Sequence, residues 1–323
     1  SSDVCSSDLH LMTHIDMEIG VFYPMGGLYT IIEAIERLAV ANGVRIHTSS
    51  PVSSIDVDTD GQVRGVTVGS DRYLADVVIA GADLHHVETR LLEPKWQSYA
   101  QRWWDKRKPG PSGMLLYLGV KGELPQLNHH TLLYTDDWRA NFAEVFAPAD
   151  GKRRIPDPAS LYICVPSKTD PSVAPAGYEN MFVLVPIAAD PALGGEGDAA
   201  FEAAADRVIA QISEWCEIPD LAERIVVRRS MGPADFVSEL NAWSGTALGM
   251  AHTLKQSAFF RPGTKSKKVR GLYYAGHHSV PGIGLPMCLI GAELVYKRLI
   301  GDTSAGPLPG VIEQLPTDAW TGI

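Results

Sequence analysis

The most informative part of the sequence lies near its carboxyl end and reads Gly271-Leu-Tyr-Tyr-Ala-Gly-His-His-Ser-Val-Pro-Gly-Ile-Gly-Leu-Pro-Met-Cys-Leu-Ile-Gly291. Residues 272–275 form an apolar run typical of a buried strand, and residues 286–299 have helical periodicity with proline in the first turn. Glycines in the intervening loop let a ligand approach the backbone closely. The free N–H groups at the helix start face that loop. This arrangement suits an electron-rich ring edge, although a plain strand-to-helix turn has the same pattern.

The sequence upstream of this stretch alternates between helix and strand patterns. The predicted elements are a helix over 28–39 capped by Gly43, a strand over 44–48, a hairpin of strands over 52–58 and 63–68, and a short buried strand over 76–80. This order is typical of the later part of a nucleotide-binding α/β domain. We therefore expect residues 10–83 to belong to such a domain.

Between residues 84 and 245 the pattern changes to strand-like runs separated by loops rich in proline and aspartate. The runs, followed by one strongly helical stretch, cover 113–120, 131–135, 160–165, 181–187 and 199–216. This pattern predicts a second domain with a mixed sheet, inserted into the first, which then resumes over 246–302 before a tail over 303–323. The predicted fold class is α/β, with a partial Rossmann-like domain and an inserted mixed-sheet domain.

The first nine residues read SSDVCSSDL, in which Ser-Ser-Asp occurs twice. The stretch has neither an amphipathic period nor the residue pattern of a turn. We interpret residues 1–9 as a non-native artefact and leave them out of the fold prediction.

Composition excludes several classes of protein. The formal net charge is −10, which disfavours a nucleic-acid partner because phosphate contact needs a basic surface. The four cysteines form no Cys-x-x-Cys motif, so neither a disulfide framework nor a zinc knuckle is indicated. No apolar run is long enough to span a membrane, and no secretory signal is visible. These features predict a cytoplasmic protein.

The sequence contains three histidine doublets, at 85–86, 129–130 and 277–278. Adjacent residues of a strand point to opposite sides, so a doublet is poor metal geometry and we predict no metal site. The densest basic patch, over 265–270, is interpreted as a solvated loop that could touch anionic lipid headgroups. Common hydrolase and kinase motifs do not occur in the sequence.

Several separate segments together resemble the bacterial and archaeal type of phytoene desaturase, in the flavin-dependent amine-oxidase-like superfamily. The similarity extends over roughly residues 20–302, and its segments are Gly20-Val-Phe-Tyr-Pro-Met-Gly-Gly-Leu28, Gly81-Ala-Asp-Leu-His-His86, the stretches 167–177 and 251–262, and the carboxyl-terminal stretch quoted above. Several matches in the same order are more specific than any one glycine motif.

The resemblance implies an FAD-dependent oxidoreductase that desaturates phytoene or a similar C40 polyene by hydride transfer to flavin. It also implies a lipophilic substrate and a peripheral contact with the membrane surface. Members of the family open with a strand, a GxGxxG turn and a helix that hold the ADP half of FAD. No GxGxxG follows a predicted strand in this sequence, so we expect the chain to be an N-terminally truncated fragment.

The resemblance also assigns cofactor-binding residues. It implies that Val52 contacts the adenine and that Gly276 lies beside the flavin and its ribityl chain. The loop and helix start that lie under the isoalloxazine correspond to Gly282, Leu285, Pro286 and Met287. No catalytic acid or base is assigned, because loss of hydride from such a substrate leaves a delocalised allylic cation. A dry, well-positioned cavity then matters more than a strong base.

Three other functions fit the same sequence pattern. One is a related carotenoid or retinoid oxidoreductase, isomerase or saturase. Another is a non-catalytic flavoprotein-like module that binds an isoprenoid lipid, and the third is an amine oxidase.

Overall fold

The computed structural model describes residues 22–146, 151–257, 260–304 and 306–308. Residues 1–9, interpreted above as non-native, lie outside this range. Within it the chain divides into two compact units. We call residues 47–108 and 250–308 the parallel-strand unit, and residues 22–46 and 109–249 the antiparallel-sheet unit.

The strands follow one another along the chain as β1 (Ser54–Val57), β2 (Val63–Val68), β3 (Asp71–Leu74), β4 (Val78–Ala80), β5 (Ser112–Lys121), β6 (His130–Leu133), β7 (Leu161–Cys164), β8 (Tyr178–Ile187), β9 (Ile225–Met231) and β10 (Leu272–Tyr274). The α-helices are α1 (Tyr29–Ala41), α2 (Leu84–His86), α3 (Gln101–Trp104), α4 (Trp138–Phe146), α5 (Ala199–Trp215), α6 (Leu221–Arg224), α7 (Pro233–Leu240) and α8 (Leu285–Ile300).

The antiparallel-sheet unit is built on five strands in the order β6-β7-β8-β5-β9. Side chains alternate across the sheet, so every second residue of β5 and β8 faces the core. Helix α5 covers that face with its apolar stripe, and the Asp198 carboxylate caps the helix by accepting from the N–H groups of Ala200 and Phe201. The core includes Met114, Leu116, Leu118, Ile163, Val183, Val185, Phe201, Val208 and Ile212.

The parallel-strand unit contains two small sheets. Strands β1, β2 and β3 form an antiparallel meander, and β4 pairs in parallel with β10, with Val78 opposite Leu272 and Ala80 opposite Tyr274. β10 is buried, and α8 follows it after a ten-residue loop. The predicted hairpin, the short strand near residue 80, the last strand and the last helix are therefore present, although β4 has no buried residue where a buried strand was predicted.

The predicted strand over 44–48 is wrong. The N–H of Val44 donates to the carbonyl of Ala39 at the end of α1, at 3.0 Å, and residues 44–48 pair with no strand among the described residues. A strand needs a neighbour to take up its backbone groups, which the local alternation of residues cannot supply. Helix α1 forms as predicted, although none of its residues is buried.

The unit boundaries differ from those predicted. Residues 84–108 belong with β4 and β10, because Glu88, Ser98 and Trp104 contact Tyr274, Ser266 and His278 of that unit. Residues 22–46 fall in the other unit. The roles predicted for the domains, FAD binding and substrate binding, stay predictions. In the described parts of the chain, no helix is long and apolar enough to cross a bilayer.

Candidate functional site

The loop that follows β10 begins at the carboxyl edge of the two parallel strands. In open α/β sheets, ligands bind outside this edge. A cavity of about 10 Å³, roughly the space of one water, lies there and is lined by the backbone around Ala80, Ala82 and Gly276. The tail loop, residues 276–284, therefore occupies the position where a parallel sheet presents its ligand.

Two glycines give this loop a shape that other residues would strain. Gly276 has a φ of +120° and Gly282 a φ of +145°. A Cβ on Gly282 would lie 3.5 Å from the His252 ring and 3.8 Å from the Arg261 guanidinium, so a branched side chain would press on both. Gly276 is partly exposed and an added Cβ there would meet the Gly81 carbonyl oxygen at 3.7 Å, so its backbone is open to close approach by a ligand, whereas Gly282 is buried.

A buried carboxylate fastens the loop to the end of β4. Asp83 Oδ2 lies 2.9 Å from Nε2 of His278, and both residues are buried. The other oxygen of Asp83 accepts from the N–H groups of His85 and His86 and so caps the short helix α2. Burial lowers the pKa of His278, against the attraction of Asp83. One carboxylate therefore joins the ends of both parallel strands.

Arg261 holds the loop from its other side. This arginine is buried, and its Nη2 donates to the carbonyl of His277 at 2.6 Å, while Nη1 donates to the carbonyl of Gln256 at 3.4 Å. A buried guanidinium that binds backbone carbonyls fixes the course of the chain. The loop is thus positioned by one anionic and one cationic side chain.

A second buried carboxylate supports β10 from below. Glu88 accepts from the Tyr274 hydroxyl and from the N–H of Tyr99, the latter at 2.7 Å. Burial raises the pKa of Glu88, and burial together with the neighbouring Glu88 raises the pKa of Tyr274. The network holds the end of β10 from which the tail loop begins, and Tyr274 also lines the small cavity at that edge.

Most of the predicted cofactor residues lie together in this loop and at the start of α8. Leu285 and Pro286 are exposed and Met287 is half-buried, which makes an apolar surface at the helix start. Gly284 precedes the helix without a side-chain cap, so the first N–H groups of α8 are left for a ligand. Val52 lies apart from them in the chain, just ahead of β1 on another sheet. Its contact with adenine stays a prediction.

Sequence reasoning missed Asp83, His278 and Arg261. The signal was available, because Gly81-Ala-Asp and Ala275-Gly-His-His each follow a predicted strand, and parallel strands end at the same edge. The sequence pattern does not predict the side-chain orientations through which these residues contact the tail loop.

Two of the histidine doublets do not show the strand alternation on which the prediction of no metal site was based, and that prediction stays untested. The rings of His277 and His278 have centroids 4.3 Å apart, and so have those of His129 and His130. One doublet lies in a loop and the other spans the start of β6, so the alternation of a regular strand does not separate their rings.

The antiparallel sheet has one core face and one outer face. The outer face is mainly apolar and partly exposed, and carries Leu115, Tyr117, Leu132, Tyr162, Phe182 and Leu184. Aromatic rings cross the strands in a row, with Tyr117 and Phe182 centroids 5.4 Å apart and Tyr162 and Phe182 centroids 6.4 Å apart. The row offers a long, flat apolar surface.

Two of the segments that carry the family resemblance meet in this unit. Asp170, from the stretch 167–177, accepts from the N–H of Gly26 at 2.6 Å and from the Tyr23 hydroxyl at 3.3 Å. Hydrogen bonds from Ser172 and Gly26 hold the pKa of Asp170 below its ordinary value. The carboxylate therefore fixes the glycine turn that leads into α1.

The fold and the tail loop define a flavoprotein-like α/β chain, and comparison with known proteins gives its family. The family model described as flavin containing amine oxidoreductase matches residues 5–294, so the chain belongs to that family. The match begins within the stretch interpreted as non-native, and that interpretation stays untested.

Similar proteins include carotenoid desaturases. The chain is 40 % identical over 294 residues to the carotenoid 3,4-desaturase of Haloarcula japonica, covering 91 % of this chain and 57 % of that protein. It is 35 % identical to the zeta-carotene-forming phytoene desaturase of Myxococcus xanthus, covering 90 % of this chain and 54 % of that protein. The resemblance predicted from the sequence is confirmed, and the chain spans little more than half the length of these relatives.

Solved structures with a similar fold include an oxidoreductase from Methanosarcina mazei. It has a TM-score of 0.56 at 19 % identity, over 85 % of this chain and 55 % of that one. Reduced UDP-galactopyranose mutase has a TM-score of 0.52 at 14 % identity, over 87 % of this chain and 53 % of that one. At these identities the likeness concerns the fold alone, and it confirms the predicted α/β class.

The residues of the tail loop fit the ring half of a flavin. The glycine backbone permits close approach, the start of α8 offers free N–H groups, and the apolar side chains beside it suit a flat ring. The sequence lacks a GxGxxG turn after a strand, which is the usual partner of the ADP half. The fit therefore concerns the isoalloxazine and its ribityl chain.

Proposed function

We propose that this chain is the substrate-binding and flavin-ring-binding part of an FAD-dependent desaturase that acts on phytoene or a similar C40 polyene. The observation that carries the proposal is the apolar outer face of the antiparallel sheet. Its rings and leucines extend across four strands, and a linear hydrocarbon gains binding free energy from such a surface in proportion to the apolar area it covers. The names of the similar desaturases support the same substrate class.

The residues of this chain would orient the substrate and keep its reacting carbon atoms dry. Bound FAD would supply the hydride acceptor. The tail loop would hold the ring through its backbone, since Asp83 and Arg261 fix that backbone from two sides. The outer sheet face would align the polyene by contact, with Phe182 between the rings of Tyr117 and Tyr162. Positioning of this kind, with exclusion of water, is the main requirement when the cation formed is delocalised.

A C40 hydrocarbon resides in the bilayer, so the protein must meet the membrane at its surface. The basic patch over 265–270 is exposed and supports a weak electrostatic contact. Two of its lysines are also engaged locally, because Lys268 Nζ donates to the carbonyl of Lys95 at 3.0 Å and Lys267 Nζ lies 4.8 Å from the centroid of the Tyr99 ring. With a net charge of −10, apolar contact must provide most of the attraction.

The test joins this chain to a strand–GxGxxG–helix segment from the Haloarcula japonica relative and supplies FAD with phytoene in liposomes. We expect a product with more conjugated double bonds, seen as absorption at longer wavelength and by chromatography. Oxidation of a water-soluble amine, with phytoene unchanged, would instead identify an amine oxidase. Bound flavin with no change in either compound would identify a binding module.

Two pairs of variants of that protein test the assigned surfaces separately. Gly282→Val should remove bound flavin, while Gly69→Val, at another positive-φ glycine with open space around it, should retain it. Phe182→Asp should abolish turnover of phytoene with flavin retained, while Leu254→Asp, at an exposed position outside the sheet face, should not. Normal flavin content in Gly282→Val would refute the placement of the ring.

A further inference from the structure

Three potential metal ligands meet at one end of the outer sheet face. A ring nitrogen of His129, a ring nitrogen of His130 and the sulfur of Cys164 all lie within 4.8 Å of one another. His130 and Cys164 are directly opposite each other in the β6–β7 pair, so the register itself brings their side chains to the same face. We propose that these three residues form a binding site for Zn²⁺.

The first support is the hydrogen bonding of the two imidazole rings. Nδ1 of His129 lies 2.6 Å from the Thr169 hydroxyl, and Nδ1 of His130 lies 2.7 Å from the Tyr162 hydroxyl. A metal-binding histidine is usually oriented in this way, by a hydrogen bond from the ring nitrogen that does not bind the metal. For His129 this leaves Nε2 as the ligand atom.

The second support is that Nε2 of His129 is buried and has no hydrogen-bond partner within the described residues. A buried polar atom without a partner costs free energy, and a bound ion is one recognised explanation for such an atom. The ring is held in place, since the edge of the Tyr23 ring packs against it with centroids 4.9 Å apart. A metal bound at Nε2 would satisfy this atom.

The ligand set indicates the metal. Two neutral imidazoles and one thiolate suit a borderline-soft ion that accepts tetrahedral geometry, with water as the fourth ligand. His130 is exposed, so an ion can enter from solvent. The other cluster of this kind, Asp83 with His277 and His278, is less suitable because Asp83 is already bound to His278 and caps α2.

The test adds Co²⁺, a spectroscopic substitute for Zn²⁺, to the chain after dialysis against a chelator. We expect a thiolate-to-cobalt charge-transfer band whose intensity saturates at one equivalent of Co²⁺. The band should disappear when Zn²⁺ displaces the bound Co²⁺. Cys164→Ser should abolish the band, and His129→Ala should lower the affinity. Cys216→Ser is the matched control, because Cys216 is another half-buried thiol of the same unit and should leave the band unchanged.

Thr169→Val keeps all three ligands and removes only the orienting hydroxyl. We expect it to retain the band and to weaken cobalt binding by about 10- to 100-fold. X-ray absorption of the unmodified protein loaded with Zn²⁺ should show one sulfur and two imidazole neighbours, and this measurement depends on no variant. Absence of the charge-transfer band, its persistence in Cys164→Ser, or a zinc spectrum without sulfur would overturn the proposal.

Discussion

The paired strands β5 and β8 differ from strand β4 and helix α8 in how completely their apolar residues are buried. In the antiparallel-sheet unit, β5 and β8 bury every second residue beneath α5. In the parallel-strand unit, Ile79 of β4 and Leu289 of α8 are both 51 % exposed. Parallel sheets are normally covered on both faces. Helix α5 and the sheet therefore enclose a core in the first unit, although α1 of the same unit has no buried residue, while β4 and α8 of the second unit present apolar surface to which further structure can bind.

The difference matters for function because the two units supply different surfaces. The unit with the closed core carries the rigid aromatic row and the three proposed zinc ligands. The unit with the open apolar surface carries the glycine loop that fits a flavin ring. Local polar contacts, above all those of Asp83 and Arg261, replace a large core in fixing that loop. The comparison can be tested by changing one unit at a time.

The largest expected effect is on the core of the antiparallel-sheet unit. Phe201→Ala removes a fully buried ring between α5 and the sheet, so we expect the free energy of unfolding to fall by about 3–5 kcal/mol. Leu289→Ala, at a half-exposed position of α8, should cost well below 1 kcal/mol if its surface is open as described. Hydrogen exchange resolved by peptide measures each unit separately, and equal losses would contradict the contrast.

A smaller loss is expected from the carboxylate that joins the parallel strands. Asp83→Ala removes a hydrogen-bond partner of buried His278, which should lower the free energy of unfolding by about 1–3 kcal/mol. It also removes the cap of α2, which should lower it by about 1 kcal/mol more. Protection from hydrogen exchange should fall in the tail loop and be unchanged in β5 and β8. Asp60→Ala, at an exposed aspartate of the same unit, is the control. A uniform loss across both units would show that Asp83 does not act locally.

Much of this contrast could be predicted from the sequence. The strand-like run over 181–187 and the helical stretch over 199–216 predicted β8 and α5, because both elements are long enough to show a pattern in the sequence itself. Strand β9 was missed, since as an edge strand it carries exposed valines and arginines in place of clear alternation. The boundary at 108–109 was missed because it depends on side-chain contacts of Glu88 and Trp104, which no local period reveals.

The candidate site divides in the same way. The glycine loop was predicted, because the backbone freedom of glycine and the fixed φ of proline both favour turns. The cluster of His129, His130 and Cys164 was not predicted, because it arises from the register of two strands about 30 residues apart in the sequence. Whether the two rings of a histidine doublet lie on the same side of the chain also depends on where the strand begins. Strand ends are the least certain part of a prediction from sequence pattern.

The next prediction concerns pH and the tail loop of the parallel-strand unit. Burial lowers the pKa of His278 in the folded protein below the ordinary value of about 6.5 that it has when unfolded. Below that value the unfolded chain binds a proton that the folded chain does not, so stability is fully present above pH ~6.5 and falls on acidification towards the folded pKa.

The measurement is hydrogen exchange of residues 272–284 in wild type and in His278→Gln. The wild-type loop should lose protection as the pH falls below about 6.5, after correction for the intrinsic rate, and the variant should lose this dependence. Peptides from β5 and β8 serve as the internal reference, because they contain no histidine. An identical pH dependence in the variant would assign the effect to another group.

The smallest expected effect on stability concerns the open apolar surface. Ile79→Thr and Leu289→Gln replace half-exposed apolar side chains, so each should change the free energy of unfolding by no more than about 0.5 kcal/mol. Both should nevertheless lower self-association of the isolated chain, because exposed apolar patches and an open strand edge favour contact between copies. Light scattering against concentration measures this association.

A substitution of the same kind at an exposed residue of the antiparallel-sheet unit, Leu240→Gln, should change this association less, since Leu240 ends α7 and lies on no open strand. Joining the chain to the strand–GxGxxG–helix segment should remove the difference between wild type and the two variants if that segment covers the surface. If association persists in the joined protein and still depends on Ile79 and Leu289, the open surface binds something other than that segment.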